Sequence, residues 1–236
     1  MIYIKVNVFR FYDPDYEFTF PVLSAVIRLS HKYNVASVLQ QALQVFTEFD
    51  SIVCNIARWP TYAAQFKDEQ CAVAVVNIAR LTDTLSLLPL AFYECCSLSA
   101  AVLDGWKRED GTTEYLSKDD LARCIRGRER LTREAFNMFG RVFTTLAENK
   151  CIRPTMCNTA LREVARDALA VDSGTELPFD AWFEFVEDLR NPSAQHNVCI
   201  VCCQAMIKRL REEREELWEK LPEIFDLEMD IQEQAD

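Results

Sequence analysis

The chain has 236 residues, half of them hydrophobic, and a formal charge of −11. That suits one large domain, or a domain plus a fragment. The acidic balance, 26 Lys and Arg against 37 Asp and Glu, argues against a binder of nucleic-acid backbones, which needs a basic patch.

Five glycines and eight prolines predict few loops and many helices, hence an all-α fold. No run of about 18 apolar residues marks a membrane span. The start, Met1-Ile-Tyr-Ile-Lys-Val6, lacks the layout of a signal peptide. The ten cysteines are therefore expected in a reducing, intracellular setting, cytoplasmic or nuclear, as buried apolar residues or metal ligands more often than as disulfides.

Residues 1–10 alternate, with Ile2, Ile4, Val6 and Val8 opposite Tyr3, Lys5 and Asn7, which predicts a strand. Pro21 suits a first helical turn, and Val22, Val26, Ile27 and Leu29 share a face, predicting a helix to about Lys32. Val38, Leu39, Ala42, Leu43 and Phe46 predict the next. Residues 50–70 read as irregular, with Trp59-Pro60 breaking any helix before it. Cys71 to Arg80 reads as a continuous apolar helix. Asp83 is expected to open a longer helix to about Trp106, and Gly105 with Asp110-Gly111 to mark a loop.

Ser117 is a good N-cap, and Asp119 and Asp120 fall in the first turn, where the helix dipole favours acids. Apolar spacing carries that helix to about Ala147, with Gly127 as a point of bending. Arg123, Arg126, Arg128, Arg130 and Arg133 fall within it, but Glu129 and Glu134 interleave them. Thr155 is expected to cap a helix through Leu161, Val164, Ala165 and Leu169, ended by Asp172-Ser-Gly174. Pro178 is expected to start a short helix holding Trp182, Phe183 and Phe185, stopped by Asn191-Pro192. The last helix is expected from about Ala194 to Leu221, with an apolar stripe of Cys199, Cys203, Met206, Leu210, Leu217 and Leu221. Trp218 and Phe225 can dock the C-terminal end back on the body. From Glu223 on, six acids and no base predict a solvated tail.

Cysteine placement supplies the one candidate site. Cys151 and Cys157 flank Pro154; Cys199 and Cys202 form a C-x-x-C, with Cys203 adjacent and His196 just before. Thiolates bind zinc tetrahedrally, and a C-x-x-C at a helix start is a common half-site. A helix N-terminus also lowers a thiol pKa, favouring the ligand form. Forty-one residues separate the two pairs, so the fold must bring them together. Two other readings stand beside zinc: core cysteines packed as small hydrophobes, and a redox disulfide pair. Four ligands would close a metal site and make it structural. Cys95-Cys96 reads as core, and His31 as a residue near a helix C-terminus. Asp119-Asp120 and Glu187-Asp188 point to different helix faces and make poor acid–base pairs. No Gly-rich phosphate loop and no catalytic motif emerges.

Several stretches carry a family resemblance. Phe11-Tyr-Asp-Pro-Asp-Tyr-Glu-Phe-Thr-Phe20, followed by Val22 to Val35 with its His31-Lys-Tyr-Asn-Val35 turn, resembles the last helices of a BTB/POZ domain. The segments Ala74 to Asp83, Tyr93-Glu-Cys-Cys96, Leu116 to Arg128 and Leu217-Trp-Glu-Lys-Leu-Pro-Glu-Ile-Phe225 are similar to the helical half of BTB proteins abundant in mushroom-forming fungi. The resemblance covers most of residues 11–227. It implies a C-terminal BTB remnant over 1–50, an irregular helical domain over 66–227 and an acidic disordered tail over 228–236. It implies a non-enzymatic adaptor that binds protein partners through its helical segment, with homodimerisation or a link to cullin-type ubiquitin ligases, and neither nucleic acid nor membrane as partner. The group carries similar paired cysteines in both places, which adds to the reading of Cys151, Cys157, Cys199 and Cys202 as ligands of a structural zinc. The alternatives are a cysteine- or zinc-dependent enzyme, or a non-functional truncated family member.

Overall fold

The structure, a computed structural model, describes residues 20–53, 71–171, 177–179, 182, 185, 186, 189 and 196–228. The fold is all-α, as composition predicts. Its helices among the described residues are α1 (Phe20–Lys32), α2 (Ala36–Val53), α3 (Cys71–Thr82), α4 (Leu88–Ser97), α5 (Lys118–Phe143), α6 (Pro154–Val171) and α7 (Ile200–Ile224). Short 3-10 turns cover Leu85–Leu87 and Ser99–Asp104, and β1 (Trp106–Lys107) pairs antiparallel with β2 (Thr113–Glu114). No described helix is long and apolar enough to cross a membrane.

Two compact units divide after Leu121, and the second is Ala122–Glu228. The boundary thus falls inside the span that reads as one helical domain in the sequence. Within the first unit α1 packs on both α2 and α3. The strand expected over 1–10 and the irregular stretch from 54 to 70 lie outside the described residues; α2 itself continues past residue 50 to Val53. The same holds for Phe183, Glu187, Asp188 and the tail beyond Glu228.

In the first unit, α3 buries Cys71, Ala72, Val73, Ala74, Val76, Ile78 and Ala79, nearly its whole circumference, and so acts as a central helix. Cys95 and Cys96 are buried on α4, as expected. Asn34 and Asp83 end α1 and α3 in the left-handed region, at φ 54° and 56°. There the Val35 N–H reaches the Ser30 carbonyl at 2.8 Å, and the Thr84 N–H the Ala79 carbonyl at 3.0 Å.

The single helix expected from Asp83 to Trp106 is broken into three pieces. Pro89 fixes the first turn of α4, and Ser99, with φ 53°, ends it. Gly105, at φ 70°, then turns the chain into the hairpin, where a Cβ would collide with the Glu114 carbonyl and crowd the Tyr115 ring. The expected loop is this hairpin, turned at Asp110-Gly111 with the Arg108 N–H on the Thr112 carbonyl at 2.8 Å. Arg28 from α1 meets the Glu114 carboxylate at 2.5 Å, and the Asn77 amide from α3 donates to it at 3.2 Å. Trp106 packs edge-on against Phe20 at 5.1 Å.

Ser117 caps α5 as expected. Its hydroxyl accepts the Asp120 N–H at 3.1 Å and donates to the Asp120 carboxylate at 3.0 Å, while Arg80 donates to that carboxylate at 2.8 Å. The helix stops at Phe143, short of Ala147. The hydroxyls of Thr144 and Thr145 bond the Gly140 and Val142 carbonyls of its last turn, a side-chain alternative to further helix.

In the second unit α5 and α7 run antiparallel. Arg130 meets Asp226 at 2.7 Å, Arg141 meets Glu213 at 2.6 Å, and Arg209 donates to Thr145 at 3.1 Å, so rising numbers on one helix face falling numbers on the other. α6 begins one residue before the expected cap, because Pro154 takes its first position. The aromatic helix expected from Pro178 is interrupted: Trp182 adopts φ 60°, which a right-handed helix excludes. Its indole N–H donates to the Ala168 carbonyl at 3.0 Å, and its ring packs on Phe139 and Phe143. α7 starts at Ile200, six residues after the expected Ala194, with Cys199 as its extended N-cap.

The described residues include the start of the acidic stretch, to Glu228. Asp226 sits at φ 52°, the Leu227 N–H closes on the Pro222 carbonyl at 2.9 Å, and Arg130 donates to the Glu223 and Ile224 carbonyls. The fully buried ring of Phe225 lies where a Cβ on Gly127 would stand, so Gly127, expected as a bend, makes room for a neighbour. Gly127→Ala should therefore destabilise the second unit by about 1–3 kcal/mol despite its better helix propensity. Thermal denaturation checks this, and a gain in stability would refute the packing role.

Candidate metal centre

Three segments of the second unit supply the site. The first is the turn after α5, where the Cys151 N–H reaches the Glu148 carbonyl at 2.8 Å. Next comes the first turn of α6, which presents Cys157 with its N–H on the Arg153 carbonyl at 2.9 Å. The third is the start of α7, with Cys199 as N-cap and Cys202 in the first turn. Side contacts fix the turn: Ala147 N–H donates to the Asn158 amide oxygen at 2.7 Å, and Arg209 on α7 pairs with Glu148.

The two cysteine pairs meet. The sulfurs of Cys151, Cys157, Cys199 and Cys202 all lie within 4.8 Å of one another, and all four residues are buried. Cys151 and Cys199 Sγ are 3.6 Å apart. A tetrahedral ion with bonds of about 2.3 Å sets its sulfurs about 3.8 Å apart. The cluster therefore has the size of a mononuclear four-thiolate site and is compatible with a structural metal.

Backbone N–H groups aim at the sulfurs, Glu148 at Cys202, Arg153 at Cys151 and Cys199 at Cys157, each at 3.4 Å. A neutral thiol accepts weakly, while an ionised acceptor strengthens such bonds about twofold. Both α6 and α7 also direct their N-terminal, positive ends at the cluster. Backbone and helix dipoles thus favour thiolate at a place where apolar packing alone requires neither.

The four thiols respond unequally. Burial works against the Cys199 thiolate, but hydrogen bonds from the Cys202 backbone and from the Cys202, Cys151 and Cys157 side chains outweigh it and bring its pKa down to about 7. Burial pushes Cys202 up to about 12, with the neighbouring Cys199 and Cys151 adding to the rise. Cys157 is raised as well, chiefly by burial. The cluster holds one thiolate readily and resists the next until a cation joins it.

The remaining sequence candidates fall elsewhere. Cys203, one residue past Cys202, is buried but turned about 100° around the helix, away from the cluster. His196 Nε2 approaches Asp167 on α6 at 3.4 Å rather than the sulfurs. His31 lies in the last turn of α1, and Asp119 and Asp120 in the first turn of α5. Of the five arginines weighed as a basic patch, Arg126 and Arg130 pair with Asp226. The main-chain donors of Glu148 and Arg153 carry no sequence signal, since any residue supplies an N–H.

Comparisons with family models, with curated proteins and with solved structures return no match.

Ion uptake tests the thiol chemistry. Zinc, used as the probe ion, should displace more than one proton per ion at pH 7, because Cys157 and Cys202 enter the site protonated. Affinity should fall as pH is lowered through 7, where Cys199 also takes up its proton. Calorimetric titration in buffers of different ionisation enthalpy measures both, and uptake without proton release would exclude these thiols as ligands.

Proposed function

We propose that this chain is a non-enzymatic protein-interaction module of the BTB type, whose second unit is clamped by one zinc ion on Cys151, Cys157, Cys199 and Cys202. The observation that carries the reading is the closed cage of four buried sulfurs within 4.8 Å. Four protein thiolates complete the coordination of zinc and leave no position for a substrate water, which assigns the ion to structure. Zinc suits an all-sulfur tetrahedral site, having no geometric preference of its own.

The interaction reading draws on the surface around the cage and on the BTB resemblance of residues 11–227. Leu146, Ile152, Met156 and Ile200 each lie beside a residue of the cluster or its turn, and all four are exposed. Where such exposed apolar side chains form a contiguous patch, they mark a contact surface. The metal would hold this set rigid. Structural zinc is worth about 10–16 kcal/mol in small zinc-binding peptides, as much as the whole stability of an ordinary domain, about 5–15 kcal/mol. The second unit would then fold on metal binding.

The full chain purified without chelator should carry about one zinc per molecule. Cys151→Ser and Cys199→Ser should each abolish it together with the cooperative melt, and Cys203→Ser should leave it in place. Elemental analysis beside thermal denaturation decides. A metal-free chain of unchanged stability would return the four cysteines to the core.

The adaptor half of the proposal has its own test. Sedimentation of the full chain, alone and with a purified cullin N-terminal domain, should reveal a homodimer or a complex. A monomer that leaves cullin free at tens of micromolar removes both partners.

A further inference from the structure

Within the four-cysteine cluster, buried as a whole, two residues lie outermost. Cys151 and Cys199 are each 8% exposed, against 0% for Cys157 and 2% for Cys202. The outward two come from different segments, and their sulfurs are 3.6 Å apart. Their chain neighbours Ile152 and Ile200 are 87% and 61% exposed, so the chain beside this edge of the cluster lies at the surface.

We propose that this edge is a hydroperoxide-sensitive switch: oxidation joins Cys151 to Cys199 as a disulfide and expels the metal. The proposal rests on the zinc reading above. In the first step one outward thiolate attacks a peroxide oxygen, the O–O bond breaks, and sulfenic acid and hydroxide form. In the second, the other outward thiolate attacks that sulfur, the S–O bond breaks, and a second hydroxide leaves as the disulfide closes. Two thiolates are oxidised, one peroxide is reduced, and two protons from solvent convert the hydroxides to water. The zinc leaves because only two thiolates remain.

Geometry selects the pair. The sulfurs must close by about 1.5 Å to reach a bond of about 2.05 Å. Cys157 and Cys202 are screened from an oxidant by their burial. The consequence also depends on the pairing. A disulfide between Cys151 and Cys199 ties the turn after α5 to the start of α7, two of the three segments that the metal ties. One between Cys199 and Cys202 closes a loop within the start of α7 and ties nothing else. The switch therefore exchanges one clamp for another, and the second unit stays folded when its metal is lost.

The test uses the full chain with its zinc content measured first. Excess hydrogen peroxide should release the zinc to a chromophoric chelator, and non-reducing peptide mapping should place the disulfide between Cys151 and Cys199. The oxidised chain should keep a cooperative melt, and thiol reductant with added zinc should restore the starting state. Cys203→Ser should behave as the parent chain. Zinc retained under peroxide, a disulfide mapped to Cys199 and Cys202, or loss of the cooperative melt on oxidation would each overturn the proposal. A chain that holds and takes up no zinc refutes the metal reading instead. Peroxide treatment of that chain still decides the pairing, which a disulfide between Cys151 and Cys199 supports and its absence overturns.

Discussion

In the second unit two helix N-termini meet at one point, and the four sulfurs stand between them. The ends of α6 and α7 both present partial positive charge there, which by itself pushes the two helices apart. Thiolate between them reverses that sign. Thiolates in turn repel one another within 4.8 Å, so the helix dipoles and the sulfur-directed N–H groups support one negative charge easily and four only with a counter-charge. The rise of Cys202 beside the fall of Cys199 expresses this frustration among the thiols. A divalent cation at the centre satisfies every partner at once: helix ends keep anions before them, thiolates gain a shared cation, and the N–H groups keep ionised acceptors.

The far end of the same helix pair is held by different physics. There Phe225 is fully buried against Gly127, and Arg130 covers the last carbonyls of α7 while pairing with Asp226. The ion pairs are half-exposed and are worth about 0–1 kcal/mol each. Burial of a Phe side chain is worth about 1.5–3 kcal/mol, so the ring carries this end and the charges set its register. On the proposed reading sulfur chemistry would fasten the α7 end of this pair at the cluster, while apolar packing fastens α5 and α7 at the other. A disulfide in place of the metal would renew the first fastening without disturbing the second, which makes the exchange physically tolerable.

Much of this was legible in the chain. The 3.6-residue periodicity placed α1, α3 and the body of α5, because each buries one side or all sides of a helix. Ser117 with Asp119 and Asp120 announced the start of α5. Both cysteine half-sites were visible as pairs. Their convergence was not, since nothing in 41 intervening residues encodes a distance. The hairpin was missed for a different reason. Its strands are two residues long, too short for any period, and Asp110-Gly111 alone signalled the turn. The break at Ser99 escaped because this residue adopts positive φ without being glycine. The start of α7 was placed too early because apolar spacing does not distinguish a helix from the extended residues that lead to its cap.

A closed metal site also changes what its surroundings can do. On the proposed reading the ion fixes the turn that carries Ile152 and the helix starts that carry Met156 and Ile200. These side chains would then be presented on backbone with little freedom left to lose. Association costs about 0.5–1.5 kcal/mol for each rotamer-rich side chain it immobilises, and more for a loop it must order. A surface already ordered by its metal avoids the loop part of that cost, so a modest apolar area suffices for binding. The same arrangement puts the two oxidisable sulfurs at the edge of the contact surface. Replacing the metal there by a disulfide would shorten the separation of Cys151 and Cys199 by about 1.5 Å and carry Ile152 and Ile200 with them. Interface packing is sensitive to displacements of that size, since a radial gap of 0.5–1 Å already forfeits about a quarter to a half of a dispersion contact. Stability and partner affinity would therefore respond differently to oxidation, the first being preserved by the new bond and the second weakened by the shift.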